Sequence, residues 1–149
     1  MASLRYLTLQ DMIWINAQVT GATQEFDYSR LEEATFFQYG YGGSMDIFAQ
    51  SSRFLSGFAK LAPFGVGNEA TAFVGFAAFL LMNGRRLTVS DSGAAAWAGS
   101  IGAGDGEKVK SKTVEYEEHG IGVEEAVREV MGEFGGAVGE LLAAIRASA

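Results

Sequence analysis

The sequence predicts an all-α fold with at most a small β-hairpin, and three observations support this. Apolar residues recur at three- and four-residue steps over 45–61 and again over 122–146, the spacing of one face of an α-helix. The apolar run 70–82 is too short to cross a bilayer and is typical of a buried core helix. Glycine-rich stretches and the single proline separate these segments, as expected for loops between helices.

The two N-terminal helices are predicted from signals at their ends. Thr8 precedes an apolar segment with an acidic residue in its first turn, and Gly21 follows it, which predicts a helix over 9–20. Ser29 followed by Glu32 fits a capping box and predicts a short helix over 29–38. The aromatic and glycine residues at 39–43 then predict a loop.

The central helices flank a loop that contains the only proline. The periodic segment 45–61 predicts a helix with a wide apolar face, and 62–67 must be a loop because Pro63 lies among glycines. We expect Asn68 to begin the apolar helix, which Asn83 and Gly84 end with a left-handed cap.

The C-terminal third contains weaker elements and one strong one. Asp91 and Ser92 are expected to cap an Ala-rich helix to position 97, and 99–106 is expected to be a glycine-rich linker. The alternating segment 108–116 predicts a short strand or an exposed arm. The helix over 122–146 carries Gly132, Gly135, Gly136 and Gly139 in its interior, which indicates close approach of another backbone, within this chain or from a second copy.

Composition limits the chemistry. The chain has 149 residues, a net charge of −7, no cysteine and one histidine, His119. One domain over 1–149 is expected, with no disulfide, thiolate metal site or cysteine nucleophile. The negative charge argues against non-specific nucleic-acid binding. No segment has the length of a membrane span or the pattern of a signal peptide, so we expect a cytoplasmic protein.

Most candidate motifs have an ordinary structural interpretation. The glycines at 99, 102 and 104 lack the strand and helix that a dinucleotide site needs, so a linker is favoured. His119 and the lysines over 108–112 are expected to be solvated. The junction 63–71 is different, because Gly65, Gly67 and Asn68 leave backbone N–H groups free at a helix start, where anions bind. The alternative is an ordinary turn between two helices.

The same junction resembles the core of the Fic/Doc (Fido) family, and most of all its death-on-curing (Doc) toxin branch. The chain reads PFGVGNEATAF over 63–73 and FLLMNG over 79–84, where that branch typically reads His-Pro-Phe-x-Asp-Gly-Asn-Lys-Arg-Thr-Ala and then Phe-Leu-x-x-Asn-Gly. YLTL at 6–9, LEEA at 31–34 and YGG at 41–43 match in order. The resemblance covers about 5–91 and implies a Fic/Doc-like helical bundle around the motif helix.

The departures from the family motif fall on its functional positions. In the family the histidine is a general base, the acidic residue binds Mg²⁺, and the Lys-Arg pair holds ATP phosphates while AMP or a phosphoryl group passes to a protein. Here Ala62 stands at the histidine position, Val66 at the acidic position, and Glu69 and Ala70 at the basic pair. The matching positions are Pro63, Phe64, Gly67, Asn68, Thr71 and Ala72.

The resemblance and its departures together favour a pseudoenzyme, a binding or regulatory module related to toxin–antitoxin systems. No catalytic residue, metal or cofactor is then expected, and a vestigial anion or nucleotide site consists of Pro63, Phe64, Gly65, Gly67, Asn68 and Thr71. The resemblance implies a groove for an antitoxin-like helix or another protein, and 123–146 offers a surface for a homo-oligomer. The alternative is an active AMPylase or kinase that binds ATP and Mg²⁺ with substitute residues, Arg85 or Arg86 facing phosphate.

Overall fold

A computed structural model of the protein describes residues 4–40, 45–117 and 121–148. This part of the chain is all-α, as the sequence predicts, with eight helices and one two-stranded sheet. The elements are α1 Leu9–Thr20, α2 Tyr28–Phe36, α3 Ile47–Leu61, α4 Asn68–Met82, β1 Arg85–Leu87, α5 Asp91–Gly99, α6 Gly106–Lys110, β2 Thr113–Glu115, α7 Val123–Glu133 and α8 Gly135–Ser148.

Helix α4 lies at the centre of the fold. Every residue from 70 to 82 is buried, and α1, α3, α7 and α8 all pack on this helix. Phe73 meets Phe134 edge to face with ring centroids 5.5 Å apart, and Met12 lies against Gly75 at a point where a Cβ would be 2.9 Å from its methyl carbon. The apolar run is therefore a core helix, and no helix within the described ranges has the length and apolar character needed to span a membrane.

The first helix has the ends that the sequence predicts, but the second does not. Thr8 and Asp11 form a reciprocal capping box on α1, and Gly21 ends it at φ 87°. Helix α2 is capped by Asp27, whose side chain accepts from Arg30 N–H, so the predicted box of Ser29 and Glu32 is wrong. The reason is tertiary, because the backbone N–H of Asp27 donates to Pro63 O and holds this residue in the extended conformation that an N-cap needs.

The predicted helix over 122–146 is divided in two, because α7 ends at Glu133 and α8 begins at Gly135. Asp91 stabilises the break: its carboxylate accepts from the N–H groups of Gly136 and Ala137, at 3.2 and 2.8 Å. Asp91 thus caps α8 instead of its own helix α5, whose N-cap is Ser90.

Within the described part of this chain, no other backbone approaches the glycines of these last helices closely. A Cβ built on Gly132, Gly135 or Gly139 would meet no atom of the described structure within 4 Å, and one on Gly136 would meet the Asp91 carboxylate. The apolar residues of α7 and α8 complete the core of the single chain: Ala126, Val127, Val130, Phe134, Ala137, Val138 and Leu141 are buried. Pairing with a second copy stays a prediction.

The region 99–116, predicted to be a linker followed by a strand or an exposed arm, contains the short helix α6 and the strand β2. Gly99 ends α5, a turn closed by Gly102 N–H to Asp105 follows, and Gly106 begins α6. Only 113–115 forms the expected strand, which pairs antiparallel with β1 in the register Arg86 to Val114. Helices α5 and α6 lie between the two strands in sequence, so no hairpin turn joins them.

Candidate functional site

The loop 62–67 joins α3 to α4 and adopts two left-handed conformations. Ala62 ends α3 at φ 46° and ψ 62°, and Gly67 precedes α4 at φ 80°. Ala62 and Val66 are exposed, the latter at 46%. Pro63 cannot continue α3, because it has no N–H to donate and its ring clashes with the preceding turn. The loop therefore presents the motif positions 62 and 66 to solvent.

Asn68 closes the loop with two reciprocal hydrogen bonds. Its Oδ1 accepts from the backbone N–H of Phe64, and its Nδ2 donates to the carbonyl of the same residue, both at 2.8 Å. The side chain of Asn68 therefore pairs with both the backbone N–H and the backbone carbonyl of Phe64. Since both ends of the amide are engaged, Asn68 holds the loop and has little capacity left for a ligand.

A second set of contacts ties the loop to the segment before α2. Gly65 N–H donates to Glu25 O at 2.9 Å, and Phe26 and Phe64 form an isolated antiparallel bridge. The ring of Phe64 lies 6.3 Å from that of Phe58 in α3. The prediction of a free N–H at Gly65 is therefore wrong, because a backbone carbonyl distant in sequence accepts this hydrogen bond.

Asn16 is a structural residue of this site that the sequence reasoning missed. It is fully buried on α1, and its Nδ2 donates to Val66 O at 2.9 Å and to Thr71 Oγ1 at 3.0 Å. Its Oδ1 has no hydrogen-bond partner in the described structure. The available signal was an amide flanked in sequence by the apolar residues of α1.

Gly67 is required by both conformation and space. Its φ of 80° is strained for any residue with a side chain, and a Cβ there would lie 2.6 Å from the Thr20 methyl carbon. In the described structure no side chain caps α4, whose N-cap is Gly67, and anion binding by the N–H groups of Gly67 and Asn68 stays a prediction. The acidic residue of that turn is Glu69, which already complements the helix dipole.

A small cleft opens beside the first turn of α4. It measures about 220 Å³, and α3, α4, α5, the turn after α5 and α8 contribute its walls. Its ionisable lining residues are Lys60 and Glu69, and Leu141 of α8 closes one side. Small-molecule sites typically measure about 300–1,000 Å³, so this cleft is small for a nucleoside triphosphate.

The motif positions differ in their access to this cleft. Glu69 is exposed and lines it, whereas Ala70 is fully buried in the core. In the ranges that the structure describes, no three His, Cys, Asp or Glu side chains group together as metal ligands would. His119 and the Tyr41-Gly42-Gly43 match lie outside the described residues.

The arginines considered as substitute phosphate ligands lie at the other end of α4. The fifteen-residue helix separates them from the loop by about 21 Å at 1.5 Å per residue. Arg85 donates to Thr113 Oγ1 at 2.9 Å, and Arg86 pairs with Glu133 at 2.9 Å. The idea that either arginine faces a phosphate at the loop is therefore wrong.

No family model, curated protein or solved structure matches this chain. The Fic/Doc resemblance consequently depends on the residues quoted above, and the function that it implies is a proposal.

Proposed function

We propose that this chain is a degenerate Fic/Doc-like protein that has lost AMP or phosphoryl transfer and acts in the cytoplasm as a binding or regulatory module, with a link to toxin–antitoxin systems. The observation that carries the loss of activity concerns the motif's phosphate-binding pair. Glu69 places a carboxylate in the cleft, and Ala70 is sealed in the core. At the position of the family's basic pair a triphosphate would meet the carboxylate of Glu69, where phosphoryl transfer needs positive charge, and Lys60 of α3 is the cation that lines the cleft.

The remaining motif positions support the same conclusion. Ala62 cannot accept a proton, and removal of a general base alone costs about 10²–10⁴-fold in rate. The Val66 side chain offers no oxygen ligand to a hard cation such as Mg²⁺, and its backbone carbonyl already accepts from Asn16. These losses are not additive, but each removes a different part of the reaction.

The residues that match the family motif stabilise the loop and the start of α4 in this fold. Asn68 and Phe64 form the closed loop, Gly67 admits the Thr20 methyl group, and Thr71 accepts from Asn16. The matching residues thus support a scaffold, whereas the departures fall on the residues that would perform chemistry. This division favours a protein that binds over one that catalyses.

Labelled ATP tests the loss of activity. The full chain is incubated with α- and γ-labelled ATP, Mg²⁺ or Mn²⁺, and cell lysate, and its ATP affinity is measured by calorimetry. We expect no transfer and no heat up to millimolar ATP. The test variant is Lys60→Ala, because Lys60 lines the cleft, and the control is Lys112→Ala, because Lys112 is exposed elsewhere. The proposal is refuted if the wild type and the control label a protein and the test variant does not.

Restoring the three exposed motif positions tests the family relation, and Ala70 is kept because it is fully buried. The combined variant Ala62→His, Val66→Asp and Glu69→Lys changes three exposed positions, so the fold should be kept. If the chain is Fic/Doc-like, this variant should gain measurable heat with ATP and Mg²⁺. If the variant keeps the circular dichroism spectrum of the wild type but gives no binding heat, the result contradicts the relation to the Fic/Doc family.

A further inference from the structure

One face of helix α2 forms an open groove that the transferase motif does not involve. Ser29, Glu32, Glu33 and Phe36 have the spacing i, i+3, i+4 and i+7, and all four line a groove of about 730 Å³ together with Phe37 and Tyr39. The opposite face of α2 is buried through Leu31, Ala34 and Thr35. The groove therefore lies on the solvent side of a helix fixed to the core.

The groove has an aromatic end that is unusually exposed. Phe36 is 51% and Tyr39 38% accessible, and their rings meet edge to face with centroids 5.7 Å apart. Tyr39 also lies 4.3 Å from the ring of Tyr6. Neighbouring exposed aromatic side chains are typical of surfaces that bind partners, since their burial contributes strongly to affinity.

The aromatic end is held in place by the core. A Cβ on Gly57 of α3 would lie 2.5 Å from Phe37 Cδ2, so the glycine allows this ring to pack directly on α3. The guanidinium of Arg53 donates to the carbonyls of Phe37 and Tyr39. A groove that is rigid before binding loses less conformational entropy when a partner arrives.

The other part of the groove is acidic. Glu32 and Glu33 are both exposed, and neither forms an ion pair within the part of the chain that the structure describes. Glu25 and Asp27, just before α2, are also exposed and extend the negative charge. Two vicinal carboxylates beside exposed rings favour a partner that supplies cationic and apolar groups together, through ion pairs and cation–π contacts.

A second copy of this chain is a poor match for that surface, since each copy carries a net charge of −7. We infer that the α2 groove binds a protein segment in which Lys or Arg side chains flank a large apolar or aromatic residue. The cations would meet Glu32 and Glu33, and the apolar residue would cover Phe36 and Tyr39. This inference is independent of the lost transferase, because the groove and the cleft have no lining residue in common.

Peptide selection tests the inference on the full chain. A library of short random peptides is displayed on phage and selected against the wild type, and the enriched peptides are synthesised with a fluorophore for anisotropy measurements. Enriched peptides should combine Lys or Arg with aromatic or large aliphatic residues. Enrichment of acidic or purely polar peptides, or of none, would overturn the proposal.

Matched variants then assign the binding to the groove. Glu32→Gln with Glu33→Gln should weaken binding about 3- to 10-fold, and added salt should reduce the wild-type affinity in the same direction. Phe36→Ser should weaken it about tenfold. The controls are Glu124→Gln with Glu125→Gln, an exposed vicinal pair on α7, and Val114→Ser, at an exposed apolar residue of β2.

Each outcome of these measurements either supports or overturns the inference that the α2 groove binds a basic and apolar segment. Peptides that bind the control variants normally and the groove variants weakly support the inference. Peptides that bind all variants equally overturn it. A wild-type dimer in light scattering that Phe36→Ser dissociates would assign the groove to a second copy and would also overturn it.

Discussion

The carboxylate of Asp91 holds the first turn of α8 from a different helix. Its Oδ1 accepts from Ala137 N–H at 2.8 Å and its Oδ2 from Gly136 N–H at 3.2 Å. Side-chain caps contribute about 0.5–2 kcal/mol, and a negative charge at a helix N-terminus adds about 0.3–1 kcal/mol. We expect Asp91→Ala to lower the free energy of unfolding by about 1–2 kcal/mol, and Asp91→Asn to lower it less because the amide still accepts a hydrogen bond.

The same contact predicts that the effect of a second substitution changes sign. A Cβ on Gly136 would lie 2.4 Å from Asp91 Oδ2, so Gly136→Ala should destabilise the wild type by about 1 kcal/mol or more through this clash. In the Asp91→Ala background the clash is gone, and alanine should stabilise α8 by up to about 1 kcal/mol through helix propensity. Gly135→Ala is the matched control, because its Cβ meets no described atom within 4 Å.

Urea unfolding followed by circular dichroism measures all members of this double-mutant cycle, with the slopes checked for constancy. The expected coupling between positions 91 and 136 is about 1 kcal/mol or more, and that between 91 and 135 is near zero. If Gly136→Ala changes the stability equally with and without the Asp91 carboxylate, the cap described above does not hold α8.

Three further substitutions test the loop and the last helix. Ala62→Gly should raise the free energy of unfolding by about 0.5 kcal/mol, because alanine is strained at φ 46°; a lower melting temperature would contradict this backbone conformation. Gly67→Ala should lower the free energy of unfolding by about 2 kcal/mol or more, because its φ is positive and the new Cβ would lie 2.6 Å from the Thr20 methyl carbon. An unchanged urea unfolding curve would contradict this close approach. Gly139→Ala should raise the melting temperature by about 1–4 °C, since nothing described lies within 4 Å; destabilisation that grows with protein concentration would instead indicate a second copy packed there.

The elements that the sequence predicted well have local signals. Thr8 with Asp11 determines the start of α1, and Asn83 with Gly84 ends α4, because the interacting groups lie within a few residues of each other. The predictions failed where a distant partner decides. The N-cap of α2 is set by a hydrogen bond from Asp27 to Pro63, and the break before Gly135 coincides with a cap from Asp91.

The candidate site shows the same division. The loop was predictable because Pro63 and its glycines cannot continue a helix, but its hydrogen bonds were not. Asn16 is 50 residues from Val66 in sequence, and a single sequence contains no signal for that pairing. The groove on α2 did have a local signal, a polar stripe that ends in Phe36, and it became interpretable only when the opposite face proved to be buried.

The burial of α4 on all sides also affects how the chain folds during synthesis. Helices α7 and α8 cover α4, yet α7 begins about forty residues after α4 ends. Helix α8 ends at Ser148, so at about 5–20 residues per second the face that α7 and α8 cover stays open for about 3–13 s of synthesis. The C-terminal helices thus cover α4 late, and until they emerge the nascent chain exposes the apolar face of α4 that they later bury.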